Sequence, residues 1–447
     1  MLKRFTFKNT ALLAAAIILA LASSCSLQQK SATDTKDLSY IYNPSKNLFK
    51  PDISVFNEDA ETSVLSIGIP RSQFQFSEAN PEGVAKASIL LSVKLFDNTL
   101  GGILSDTAQF KYDLSRDEFG GQYVFHVPLK AYEGKSYSVE TKIIDLIRQR
   151  TVQTFTDFER TGRYSRLNYK IRDYFSGNEL QSNVIRRDQY INILAPSLQL
   201  DTLWLFYYKA VKELPAPPST VLPEVTLSPE PETIIPLVYS DTLPMMFPRE
   251  GIYLFSPDSL IREGLVLFNF GPDHPTMTSP ETMVPPLAYF ATPDEMDTLR
   301  TAEKPKLALD QFWLKRTGGS IERSKELIRI YYNRTLFSNY YFSSYKAGWL
   351  TDRGMIYIMY GPPDKLYKNT EGESWGYRKP PVKSRWGSQY TVADEFLWFN
   401  FRKQTNIFSD NDFVLNRAST PISYWDIAVA KWREGKVFRL DNPEELK

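Results

Sequence analysis

The chain has 447 residues, a length that suggests two to four domains. Its 53 basic and 52 acidic residues leave a net charge of +1, so there is no electrostatic case for nucleic-acid binding. A single cysteine excludes a disulfide framework and a cysteine metal site, and an aromatic content of 14% points to large cores or aromatic surfaces.

The N-terminus reads as a targeting segment. Lys3, Arg4 and Lys8 form a basic start, Ala11 to Ala22 is apolar, and LASSC leads to Cys25. That is the pattern of a secretory signal over residues 1–24. The apolar run falls short of the roughly 20 residues a transmembrane helix needs. A lone cysteine at this place resembles a lipobox, which implies a diacylated Cys25 as the first mature residue. Several acyl chains hold a protein stably on a membrane. Ser26 follows in place of aspartate, which resembles outer-membrane sorting, and no acidic export signal comes next. The expectation is a lipid anchor in the outer membrane of a cell envelope, facing the periplasm. Residues 25–50 are then a lipidated tether, with Tyr40 and Tyr42 at an end that docks.

Residues 51–162 read as a β-sandwich-like domain. SVLSIGIP, SILLSVKLFD, QYVFHVPL, YSVETKIIDLI and TVQTFTDF are strand-length runs with turn material between them. His126 inside one run is a packed or surface side chain, not a ligand. Residues 163–292 read as a second β-rich domain with a proline-rich insertion at 214–236. Asp273-His274 invites a metal or acid–base reading, but the chain has only 2 histidines and no partner spacing.

Residues 293–447 read as an α+β domain. Ser320 can cap a helix with Leu327, Ile330, Phe337 and Tyr341 on one face. The densest stretch follows, GWLTDRGMIYIMYGPPD from Gly348 to Asp364. Thr351 is placed as an N-cap, Asp352 sits in the first turn, and Gly361-Pro362-Pro363 is a stop, so the spacing predicts a short helix. Trp349 reads as a core anchor, and Gly348 and Gly354 as places of a turn or close backbone approach. Arg353 is expected to pair with Asp352 or Asp364. SWGYR, VADEFLWFNFRK and DFVLN read as strands and SYWDIAVAKWREGK as a last helix. The fold class is therefore multidomain: β-sandwich-like N-terminal domains followed by a C-terminal α+β domain.

This stretch resembles the GWxTD-domain proteins of bacterial envelopes, matching the GWxTD…GxPD pattern position by position. Phe312-Trp313 resembles the FW that precedes it there, and Glu373-Ser374-Trp375-Gly376-Tyr377 the following E-x-W-x-Y. LKRTGGS departs from the acidic, proline-containing stretch of that family. The similarity covers about 305 to 440, and extends to the SmpA/OmlA-type lipoproteins of outer-membrane β-barrel assembly. It implies an envelope lipoprotein and carries over no catalytic residue.

G-x-S-x-G, H-E-x-x-H and P-loop patterns are absent. Glu371 with Glu373, and Asp394 with Glu395, are paired acids, but neighbouring acids usually form a solvated face. No catalytic residue, metal or cofactor is expected. The expectation is a non-enzymatic protein-binding component in envelope assembly or secretion. It would be tethered to the membrane through Cys25 and would engage envelope proteins. The alternative is a carbohydrate-binding surface lipoprotein, with tryptophan and tyrosine stacking on sugars. Gly348, Trp349, Thr351, Asp352, Arg353, Gly354, Gly361, Pro363 and Asp364 are the candidate structural or partner-binding residues.

Overall fold

The computed structural model describes residues 36–46, 49–78, 85–116, 121–220, 230–380, 395–420 and 423–441. The expected signal peptide, Cys25 and the first part of the tether lie outside these residues, as do Asp394 and part of the proline-rich insertion.

The first unit is a three-on-four sandwich. Its strands are β1 (Asp52–Asn57), β2 (Thr62–Pro70), β3 (Lys86–Asp97), β4 (Ile103–Ser115), β5 (Gln122–Lys130), β6 (Ser136–Asp145) and β7 (Arg150–Glu159). The sheets run β1-β2-β5 and β4-β3-β6-β7. Strict alternation on β3 buries Ala87, Ile89, Leu91, Val93 and Leu95, which meet Leu65, Ile67 and Ile69 of β2 in one core. His126 pairs with Ser66 across β2 and β5, as a strand side chain.

The second unit is also built from two sheets. Its strands are β8 (Lys170–Asp173), β9 (Glu179–Leu180), β10 (Tyr190–Leu194), β11 (Thr202–Lys209), β12 (Thr233–Val238), β13 (Met245–Met246), β14 (Gly251–Ser256) and β15 (Leu265–Asn269). The sheets run β13-β10-β8-β9 and β12-β11-β14-β15. Every residue of β14 and β15 is buried. One face meets the other sheet, while Phe206, Tyr208, Leu254 and Phe268 on the other meet Phe408 of the last domain. Burial on both faces explains why these strands are continuous apolar runs.

The third unit is α+β and holds the largest core. Its helices are α1 (Pro280–Met283), α2 (Pro293–Thr301), α3 (Pro305–Arg316), α4 (Ile321–Phe342), α5 (Asp352–Tyr360) and α6 (Trp425–Arg433). Its sheet runs β16 (Lys365–Lys368), β17 (Gly372–Arg378), β18 (Phe396–Lys403) and β19 (Phe413–Leu415), all antiparallel. Val284, Leu287, Tyr289 and Phe290 join this core, although they precede the boundary expected at residue 293. Leu38 and Tyr42 also join it, from within the segment expected to be tether. The Leu38 N–H donates to Leu366 O at 2.8 Å, fixing this segment beside β16.

The long helix α4 turns a different face inward from the one its apolar spacing suggests. The buried line is Ser324, Leu327, Tyr331, Thr335, Ser338 and Phe342, while Ile330, Phe337 and Tyr341 pack only partly. Small polar residues sit inside because the chain carrying the motif passes almost against the α4 backbone. A Cβ on Gly348 would stand 1.9 Å from Ser338 O. Close backbone contact, not side-chain hydrophobicity, sets this face.

Candidate functional site

The motif is assembled around the start of α5. Thr351 caps the helix, accepting from the Gly354 N–H at 3.0 Å and donating to Gly348 O at 2.7 Å. Gly354 is needed because a Cβ there would meet Gly348 O at 1.9 Å. Gly361 ends the helix at φ 88°, in the left-handed region that glycine adopts freely. Arg334 of α4 donates to Ile358 O at 2.9 Å and Met359 O at 3.2 Å, placing a cation at the helix C-terminus. Pro363 is buried, and the exposed Asp364 accepts from the Arg378 N–H at 2.8 Å, which ties the open end of the hairpin of β16 and β17.

The charged pair of the motif is spent on long-range ties. Asp352 accepts from Arg417 at 2.7 Å and from the Leu415 N–H at 2.8 Å, binding α5 to β19. Arg353 pairs with Glu373 of β17 at 3.2 Å, with side chains 2% and 0% exposed. It also donates to Asn411 O at 3.0 Å and stands 3.9 Å from the Phe413 ring centroid. The expected pairing of Arg353 with Asp352 or Asp364 is thus corrected. The three carboxylates point to different neighbours once the strands assemble. Glu373 further accepts from Tyr42 OH at 2.8 Å and Trp375 Nε1 at 3.0 Å, so both of its oxygens are occupied. Burial, and then the Glu373 charge, hold the Tyr42 phenol well above its ordinary value, keeping it a donor.

The paired acids have separate roles. Glu371 is exposed while Glu373 is buried, and Glu395 pairs at the surface with Arg378. Asp273 accepts from Thr282 Oγ1 at 2.7 Å and from the Ser279 N–H at 2.9 Å, which holds its carboxyl well below the usual range. His274 instead packs on Phe270, and burial pushes its imidazole down to about 4, so it is neutral near pH 7.

Trp349 packs against the core as expected, but only in part. Its N–H donates to Asn339 Oδ1 at 3.1 Å and Tyr289 OH donates to its carbonyl, but its ring is half-buried. The ring walls a cavity of about 360 Å³ between the motif and the second sandwich. Leu350, Ile252, Phe270, Met277 and Val211 supply more of that wall. The main chain of the motif is therefore tied down while its indole borders open space. Sequence reasoning missed Arg334, Asn411 and Arg417, and placed Tyr42 at a docking end without its partner Glu373. Glu373 carried a signal, as the acid of the E-x-W-x-Y run.

No curated protein matches the chain. Among solved structures it is similar to a calcium-binding mutant of Bacteroides uniformis beta-glucuronidase 2, at 16% identity and TM-score 0.17 over 32% of this chain and 15% of that one. It is also similar to a Bacteroides uniformis beta-glucuronidase, at 17% identity and TM-score 0.16 over 34% of this chain and 15% of that one. The matches span a small part of those enzymes, and a likeness of this extent bears on neither activity nor substrate. The family model of the GWxTD domain matches residues 251–434, from β14 to the end of α6. With the capped helix, the close-packed glycines and the tied acid–base pair in place, residues 251–434 of the chain form a GWxTD domain.

Proposed function

We propose that the protein is a lipid-anchored, periplasm-facing component of the outer membrane. It binds other envelope proteins during assembly or secretion and catalyses no reaction. One observation carries this reading. The ionisable groups of the motif are consumed by internal ties, whereas the motif presents an apolar wall, Trp349 and Leu350, to a cavity of about 360 Å³. Such a pocket suits an apolar anchor side chain of a partner, the usual centre of a protein interface. The test is crosslinking in intact cells, followed by purification and mass spectrometry. An envelope assembly or secretion component recovered with the wild type, and lost with a Trp349→Ala variant that still melts cooperatively as a folded protein, supports the reading. A partner retained in full by Trp349→Ala removes the cavity from it. Because the ring is half-buried, the truncation is expected to destabilise by about 1–3 kcal/mol, less than a fully buried tryptophan.

Carbohydrate binding is a second reading. It is favoured by a second cleft, whose lining includes buried polar groups without partners among the described residues.

A further inference from the structure

A cleft of about 850 Å³ lies where the first sandwich, the second sandwich and the α+β unit meet. Its size falls in the range of ligand sites and leaves room for a short oligosaccharide. Four of its lining side chains hold unspent hydrogen-bonding capacity. Among the described residues, Gln181 Nε2, Ser344 Oγ and His274 Nδ1 are buried with no hydrogen-bond partner. Among the described residues no hydrogen bond or ion pair reaches the Asp52 carboxylate, and burial raises it.

These groups are linked through the frame. Asp52 stands opposite Gly68 in the pairing of β1 and β2. The missing side chain of Gly68 makes room for Gln181, whose Oε1 is 2.6 Å from where a Cβ would be. That oxygen accepts from Gln122 at 2.8 Å, which leaves the amide nitrogen as the free end. Tyr340 OH donates to Pro51 O at 3.2 Å, bringing the end of α4 beside the start of β1. Ser343, next to Ser344, lies 3.2 Å from His274 Nε2 through its hydroxyl. Three separate folding units thus hold these polar groups around one space.

The chemistry narrows the ligand. Buried polar groups strongly favour gaining a partner. A carboxylate without a cation calls for hydroxyl donors and repels anions. Lys368 and Lys403, also on the lining, are offset by Asp157 beside them, so the lining offers no single sign of charge to an ionic ligand. An amide N–H, a hydroxyl and an imidazole nitrogen complement groups that donate and accept at once. We infer that the cleft binds a neutral polyhydroxylated ligand, a glycan segment, with Asp52 accepting from its hydroxyls and Gln181 donating to them. This inference rests on the carbohydrate-binding reading; Phe270, His274 and Asn339 line both this cleft and the cavity beside Trp349, whereas Asp52, Gln181 and Ser344 line the cleft alone.

The test is a glycan array probed with detergent-solubilised full-length protein, then calorimetric titration of the best glycan into wild type and variants. One neutral glycan class is expected to bind saturably. Asp52→Leu and Gln181→Leu are each expected to weaken it by about tenfold or more, with melting used to check the fold. Ser344→Ala, a smaller change, should weaken it a few-fold and serves if either larger variant does not fold. A glycan bound equally by wild type and variants overturns the placement in this cleft. An array on which wild type binds no glycan overturns the carbohydrate-binding reading itself.

Discussion

Replacing Glu373 by glutamine should be the most damaging conservative change in the third domain. The substitution keeps the side-chain volume and removes the charge that neutralises Arg353, whose side chain is 2% exposed. Removing one member of a buried ion pair generally costs about 3–5 kcal/mol, because the remaining charge stays desolvated. The Asn411 carbonyl and the Phe413 ring remain beside the guanidinium, but neither carries a compensating charge. For a domain of this size, 1 kcal/mol moves the midpoint by about 2–4 °C, so a fall of roughly 6–20 °C is expected. Tryptophan fluorescence suits the measurement, because every tryptophan except Trp204 lies at or beyond Trp313. Tyr42→Phe provides the internal scale. It deletes one of the donors to Glu373 and keeps the ring contact with Phe342, so it should cost about 1 kcal/mol. The double change Arg353→Met with Glu373→Leu should recover most of the loss, since it removes both charges. If Glu373→Gln shifts melting no more than Tyr42→Phe does, the pair does not hold α5 to β17 as argued.

Gly348→Ala should destabilise by about 2–3 kcal/mol, because the new Cβ would meet the fixed backbone oxygen of Ser338. A denaturant midpoint equal to wild type would show that the two backbones separate freely. Asp52 supplies a pH dependence: burial raises its carboxyl from 3.8 to about 6 in the folded chain. The folded state therefore binds the proton more tightly, so the ionised carboxylate costs stability above pH 6. That cost is relieved as pH falls through 6 towards 4. Asp52→Asn should stabilise by about 1–2 kcal/mol at pH 7 and by nothing near pH 4, measured by urea unfolding at the two pH values. A benefit equal at both would refute the assignment. Cys25→Ala should move the protein from the membrane to the soluble fraction of lysed cells, and retention on the membrane would reveal another anchor.

Much of the local structure was legible without coordinates. The alternation that builds β3 and β18 follows from the two-residue period of a strand. The limits of α5 follow from Thr351 at one end and Gly361-Pro362-Pro363 at the other, because the needs of a helix terminus are met by adjacent residues. The family resemblance rested on the same short-range pattern. What the motif does with its charges depended on chain segments far away. Asp352 finds Arg417 sixty-five positions on, Arg353 finds Glu373 twenty positions on, and Tyr42 reaches Glu373 across 331 positions. No spacing rule links such residues, since their meeting depends on which strands pair and how closely two backbones pass. The half-burial of Trp349 and the inward face of α4 were decided in the same way, by the near-contact of Gly348 with Ser338. Sequence alone determined the capped helix, the alternating strands and the GWxTD motif, because those rest on neighbours along the chain. Tertiary structure decided which side chains are spent on holding the fold and which border open space, because burial and charge pairing are properties of segments brought together.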